Sequence, residues 1–172
     1  MDKLDLVEQA CERAEEMLAA RAPQHDVLAH LVAAAEGFAG PRTVSSILVL
    51  DDHGLLRNGA SPNLPHDYLA AIDRLKPNPA VGTCSAAAAT GSMVVTPDFL
   101  ADDKWAELRH LPLALGFVGA WSMPIKSIDE GRVVGTFGTY YRDVREPTPP
   151  EVAAVTLLAR TAARALDPAD TD

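Results

Sequence analysis

Apolar residues at Leu4, Val7, Cys11, Ala14 and Leu18 recur at alternating intervals of three and four. That is the spacing of one helical face, and it predicts a helix over residues 2–20. Glu8, Glu12, Arg13, Glu15 and Glu16 fill the other faces. After Pro23, a second helix over about 25–38 carries Val27, Leu31, Ala34, Ala35 and Phe38 inward, and Gly37 and Gly40-Pro41 end it. From Thr43 the period shortens to that of strands. Thr43–Leu50 is rich in β-branched residues, Asp51-Asp52-His53-Gly54 is a turn signal, and Leu55–Ala60 completes a hairpin.

Residues 61–65 (SPNLP) interrupt this pattern. A short helix at about 65–75 follows with Tyr68, Ile72 and Leu75, then a rigid connector, Lys76-Pro77-Asn78-Pro79. Thr83 is placed as the N-cap of a two-turn helix, the alanine run propagates it, and Gly91 suits the left-handed position after its last turn. Met93–Thr96 reads as a short strand. Asp98 to about Leu115 reads as helical with a break at Pro112, anchored by Trp105. Phe117–Lys126 and Arg132–Tyr141 predict a second hairpin, turned at Asp129-Glu130-Gly131. Thr148-Pro149-Pro150-Glu151 opens a last helix to about Leu166, where Val152, Val155, Ala159, Ala162 and Leu166 repeat the three–four spacing.

Two hairpins imply antiparallel pairing, so the class is α+β with one central antiparallel sheet. The last strand is apolar on both alternating sets, Val133, Gly135 and Phe137 against Val134, Thr136 and Tyr140. Both sheet faces are therefore expected to be covered, one by the terminal helices and the other by the middle of loops and short helices. The expected organisation is an N-terminal helix over 1–22, a candidate dimerisation element, a domain over 23–166, and a loose acidic tail over 167–172.

Composition narrows the function classes. With 172 residues, 48% apolar and 23% charged, the chain suits one globular domain and not a disordered one. No apolar run nears the roughly 20 residues that span a bilayer. The N-terminus is charged throughout and has no apolar signal core, so a cytoplasmic location is expected. Fifteen Lys and Arg against 24 Asp and Glu give a net charge of −9. The basic residues, such as Arg132, Arg142 and Arg145, are scattered, which argues against a nucleic-acid partner. The two cysteines, Cys11 and Cys84, are too few for a disulfide framework and fit a reducing compartment.

A series of segments then stands out. It comprises Ser46–Asp51, Leu56-Arg57, Gly59–Pro62, Leu64-Pro65 and Tyr68, then Gly82–Ala88, Gly91–Asp98 and Trp105. Trp121–Ile125, Gly131–Phe137, Tyr140-Tyr141 and Pro147-Thr148 complete it. In order and spacing, over residues 25–166, this series resembles the GAF domain family. The resemblance implies terminal helices on one sheet face, a small-molecule pocket on the other, and regulation of an output module. With 172 residues leaving no room for a kinase, cyclase or DNA-binding module, the output partner is expected in trans. The resemblance also implies a homodimer through the terminal helices, with Cys11 facing its mate.

Local chemistry centres on Thr83-Cys84-Ser85. A helix N-terminus presents free N–H groups that suit a carboxylate, phosphate or carbonyl. Cys84 there is either a thiol drawn towards thiolate or a small buried residue against the sheet, and the buried reading is the commoner. Some GAF proteins reduce free methionine sulfoxide with a cysteine in a similar context. That chemistry needs a resolving thiol, and residues 98–124 have none. A thiol-dependent redox enzyme centred on Cys84, or a ligand-free dimerisation module, is thus the alternative to a non-enzymatic sensor. Trp105, Trp121, Phe137 and Tyr140, with Phe117, are expected to wall the pocket, and Asp98 and Ser122 to orient its ligand. With Cys84 and Ser85 these make up the expected ligand set, although aromatics at such spacings are more often plain core. No pair among His25, His30, His53, His66 and His110 has a metal-ligand spacing, so no metal is expected and the cofactor is left open.

Overall fold

The computed structural model describes residues 2–166. The acidic tail predicted over 167–172 lies outside them. Helix α1 runs over Lys3–Ala19 and α2 over Gln24–Ala39. The first hairpin is β1 (Val44–Leu50) and β2 (Leu56–Ala60). Two short helices follow, α3 (His66–Ile72) and α4 (Cys84–Thr90), then the short strand β3 (Val94–Thr96). After α5 (His110–Ala114) come β4 (Gly119–Lys126), β5 (Val133–Tyr141) and the last helix, α6 (Pro149–Leu166). Among the described residues no helix is long and apolar enough to cross a membrane.

The strands form one antiparallel sheet in the order β2-β1-β5-β4-β3. Its register decides which face each residue serves. Ile47 lies opposite Phe137, and Phe137 opposite Met123, while Ser46, Gly138 and Ser122 form the next row. Because successive side chains point to opposite faces, Ile47, Trp121, Phe137 and Tyr141 enter a core with Val27, Leu31, Val155 and Leu158 of the long helices. Val44, Ala120 and Tyr140 face the other way and pack with Tyr68, Phe99, Trp105 and Phe117. Both faces are covered, as the two-sided apolar pattern of β5 requires.

The seam of α1 is consumed inside the protomer. Val7, Ala10 and Ala14 are its buried residues, and Leu4, Cys11 and Leu18 pack partly buried against the same core. Cys11 meets the hydroxyl of Thr161 on α6, and burial pushes its thiol up. Glu15 pairs with Arg164 at 2.9 Å over the same contact. Helix α6 starts on a capping box: Thr148 N–H donates to Glu151 Oε1 (2.8 Å), and Glu151 N–H donates to Thr148 Oγ1 (3.2 Å). The buried Glu151 also accepts from the Tyr141 hydroxyl (3.2 Å) and from Arg145, whose guanidinium lies over the Tyr141 ring.

Residues 98–115 are not one helix broken at Pro112. They form 3₁₀ turns at Phe99–Ala101 and Asp103–Trp105 before α5. The carboxylates of Asp98 and Asp102 each accept, at 3.0 Å, from the N–H two residues on, which stops and restarts the chain twice. Pro112 sits in the first turn of α5, where its missing N–H has no helical partner to lose. Gly91 takes the expected left-handed conformation after α4, with φ +69°.

Candidate functional site

On the face away from the long helices, residues 98–117 form a cover over the sheet, with α3 and α4 beside it. Thr83 stands at the start of α4, yet its hydroxyl makes no cap. Its Oγ1 accepts instead from the Trp105 indole N–H (2.8 Å) and lies 2.9 Å from Thr96 Oγ1. That one hydroxyl ties the cover to α4 and to β3. A second tie runs from Gly82 N–H to the Lys104 carbonyl (2.8 Å). Ser85 turns to the connector, donating to the Lys76 carbonyl (2.7 Å) and accepting from Asn78 N–H (3.0 Å).

The Cys84 thiol points down onto the sheet. A side chain at Gly138 would place its Cβ 2.8 Å from Cys84 Sγ, so only glycine lets α4 approach this closely. Burial raises the Cys84 thiol above its ordinary value, and its bonding to Ser122 and Thr136 offsets only part of that rise. Both hydroxyls are fully buried beside the sulfur, and neither makes a hydrogen bond of ordinary geometry among the described residues.

Beside Cys84 lies a hollow of ≈ 30 Å³. Leu48 of β1, Ala120 of β4 and Gly138 and Tyr140 of β5 make its floor. Tyr68 and Ile72 of α3 wall one side, and Trp105 and Leu108 close it from the cover. The space suits about one water, far below the roughly 150 Å³ of a cavity that takes benzene. The hydroxyls of Tyr68 and Tyr140 meet at 2.7 Å, with the rings edge-on at 5.9 Å. Burial pushes the pKa of both tyrosines up, so both are neutral across the physiological range. Behind them Phe117 packs on Tyr140 at 5.2 Å, and the Arg142 guanidinium lies over Phe117 while donating to the Leu115 carbonyl.

Of the expected ligand set, Cys84, Trp105 and Tyr140 come together at the hollow, and Ser122 lies beneath Cys84. The rest are elsewhere. Phe137 belongs to the helix-side core, as does Trp121, which borders the hollow only from its place in β4. Asp98 caps a 3₁₀ turn and Ser85 pins the connector. Sequence reasoning passed over Tyr68, Ala120 and Gly138. The parity of β5 carried part of the signal: Phe137 and Tyr140 are three apart and cannot share a strand face, so Gly138 goes with Tyr140. No histidine lines the hollow, and no group of three or more possible metal ligands occurs among the described residues. A second, more open groove of ≈ 340 Å³ runs between β4 and α6, beside Met93, Met123, Lys126 and Arg160.

A family model described as the GAF domain matches residues 21–167. A methyl sulfide methyltransferase-associated sensor from Methanosarcina acetivorans is 31% identical over 156 residues, which is 90% of this chain. The chain spans 15% of that relative's length. A putative GAF sensor protein from Burkholderia vietnamiensis superposes with a TM-score of 0.74 at 16% identity, covering 100% of both chains. Free methionine-R-sulfoxide reductase from Neisseria meningitidis gives 0.67 at 17% identity, covering 97% of this chain and 92% of that one. At these identities the two structures speak for the fold.

Proposed function

The chain belongs to the GAF domain family, and on that footing we propose that it is a small-molecule sensor acting without catalysis. The ligand enters the hollow between α3, α4 and the sheet. The observation that carries this reading is the construction of the cover. Residues 98–117 are short turns tied to α4 by the Trp105–Thr83 and Lys104–Gly82 bonds, over a floor with no charged residue. The hollow is narrow when empty, and a ligand larger than water displaces Trp105 and Leu108 from it.

The signal then crosses the sheet. Cys84 rests on Gly138, whose strand neighbours Phe137 and Thr139 face the long helices, so a shift of α4 is felt by α2 and α6. From there the terminal helices pass it to an output partner in trans. Self-association would use surface that the α1 seam leaves free, where Leu6 is exposed. The two free cysteines are consistent with the cytoplasm. Thiol chemistry of the sulfoxide-reductase kind is disfavoured: Cys84 is partly buried with its thiol raised, and Cys11 lies on the opposite side of the sheet with α6.

A thermal-shift screen of small metabolites tests the reading on the native chain and on Ala120→Val, whose two added methyl groups occupy the hollow. At a concentration about 100 times Kd, a true ligand should raise Tm by roughly 5–10 °C. Ala120→Val should abolish that shift. A library without any stabilising compound, or stabilisation indifferent to Ala120→Val, would leave a closed module that docks but does not sense.

A further inference from the structure

The walls of the hollow carry no formal charge. Every side chain that lines it is aliphatic, aromatic, hydroxyl-bearing or a thiol. A carboxylate, ammonium or phosphate drawn in would lose its hydration and find no counter-charge, a cost that burying a small apolar body does not return. Helix α4 does not change this. It has seven residues, and the Gly82 N–H at its mouth is already held by the Lys104 carbonyl.

The polar counterpart is the tyrosine pair. A contact between two hydroxyls uses one of their two O–H protons, and the Tyr68–Tyr140 contact is no exception. The second proton has no acceptor among the described residues, although the two side chains are only 4% and 6% exposed. A buried donor left open in an apolar wall is costly, and an acceptor brought in by a guest removes that cost. The pair stands on α3 and β5, so it stays in place when the cover moves.

We propose that the hollow, read as the sensor's ligand site, takes an uncharged and largely apolar molecule whose acceptor oxygen meets the open hydroxyl of the Tyr68–Tyr140 pair. A carbonyl or ether oxygen on a body of about one ring fits this description. Charged metabolites such as amino acids, keto acids and nucleotides do not.

Titration of the ¹⁵N-labelled chain with acetophenone, ethylbenzene and benzoate tests this. The Trp105 indole N–H reads out the hollow, and the backbone N–H of the exposed Ile128, in the turn between β4 and β5, serves as an internal control. Acetophenone should shift the Trp105 signal saturably, ethylbenzene should bind about tenfold more weakly, and benzoate should leave the signal in place. The double variant Tyr68→Phe/Tyr140→Phe removes both hydroxyls and keeps the shape. It should weaken acetophenone by about tenfold and leave ethylbenzene unchanged. Benzoate binding as tightly as acetophenone, or acetophenone indifferent to the double variant, overturns the proposal. Silence from all three probes, with a stabilising compound found in the metabolite screen, overturns the ligand class and leaves the sensor standing. Silence in both experiments removes the sensor reading and this inference with it.

Discussion

Cys84 is held where a thiol does least chemistry. Its sulfur rests on the bare backbone of Gly138, between two buried hydroxyls, and burial disfavours the thiolate that any nucleophilic role requires. Iodoacetamide at neutral pH should therefore modify Cys84 at least about 100-fold more slowly than a free thiol, with mass spectrometry of the peptides as the readout. Labelling of Cys84 at the free-thiol rate would restore the redox alternative. Around this residue the sequence was legible in kind but not in aim. Thr83 had the right position for a cap, yet its hydroxyl serves Trp105 and Thr96. No local pattern reports a tie to a residue 22 positions away. Ser85 likewise looked like part of a ligand cradle, and a connector carbonyl claims it.

At the scale of elements, the strong periodicities were the readable ones. The terminal helices, both hairpins and the α4 region follow from apolar spacing and turn residues, because those patterns report burial directly. The stretch 98–115 was misread because its structure depends on the side chains of Asp98 and Asp102 bonding to nearby backbone, which apolar spacing does not register. Phe137 was assigned to the wrong side of the sheet for a different reason: aromatic type was weighed before strand parity. The start of α6 had a clear local signature, Thr148-Pro149-Pro150-Glu151, and Glu151 does more there than cap. It also takes the Tyr141 hydroxyl and the Arg145 guanidinium. Glu151→Ala should cost roughly 1–3 kcal/mol in urea unfolding with the m-value unchanged, through the lost cap and the orphaned Tyr141 hydroxyl. A loss within experimental error would mean that the cluster adds nothing to holding α6 on the sheet.

Across the whole molecule, the sheet is a partition with two differently built sides. The helix side holds long elements, a continuous core and the α1–α6 contact of Glu15 with Arg164. The other side is assembled from short helices and turns around one aromatic and one small aliphatic cluster, so it is the side able to open locally at small cost. That asymmetry was visible in the sequence, as long periodic ends around a middle punctuated by proline and glycine. The volume of the hollow was not, since ≈ 30 Å³ against room for a guest is set by how Leu48, Trp105 and Leu108 pack, not by their spacing along the chain. A crystal structure of the chain grown with a compound that raises its Tm addresses the central claim most directly. Density for that compound bounded by Cys84, Tyr68 and Tyr140, with the Trp105 indole withdrawn from Thr83, is the predicted result. The same compound seated in the groove between β4 and α6, over an unchanged and closed hollow, would contradict it.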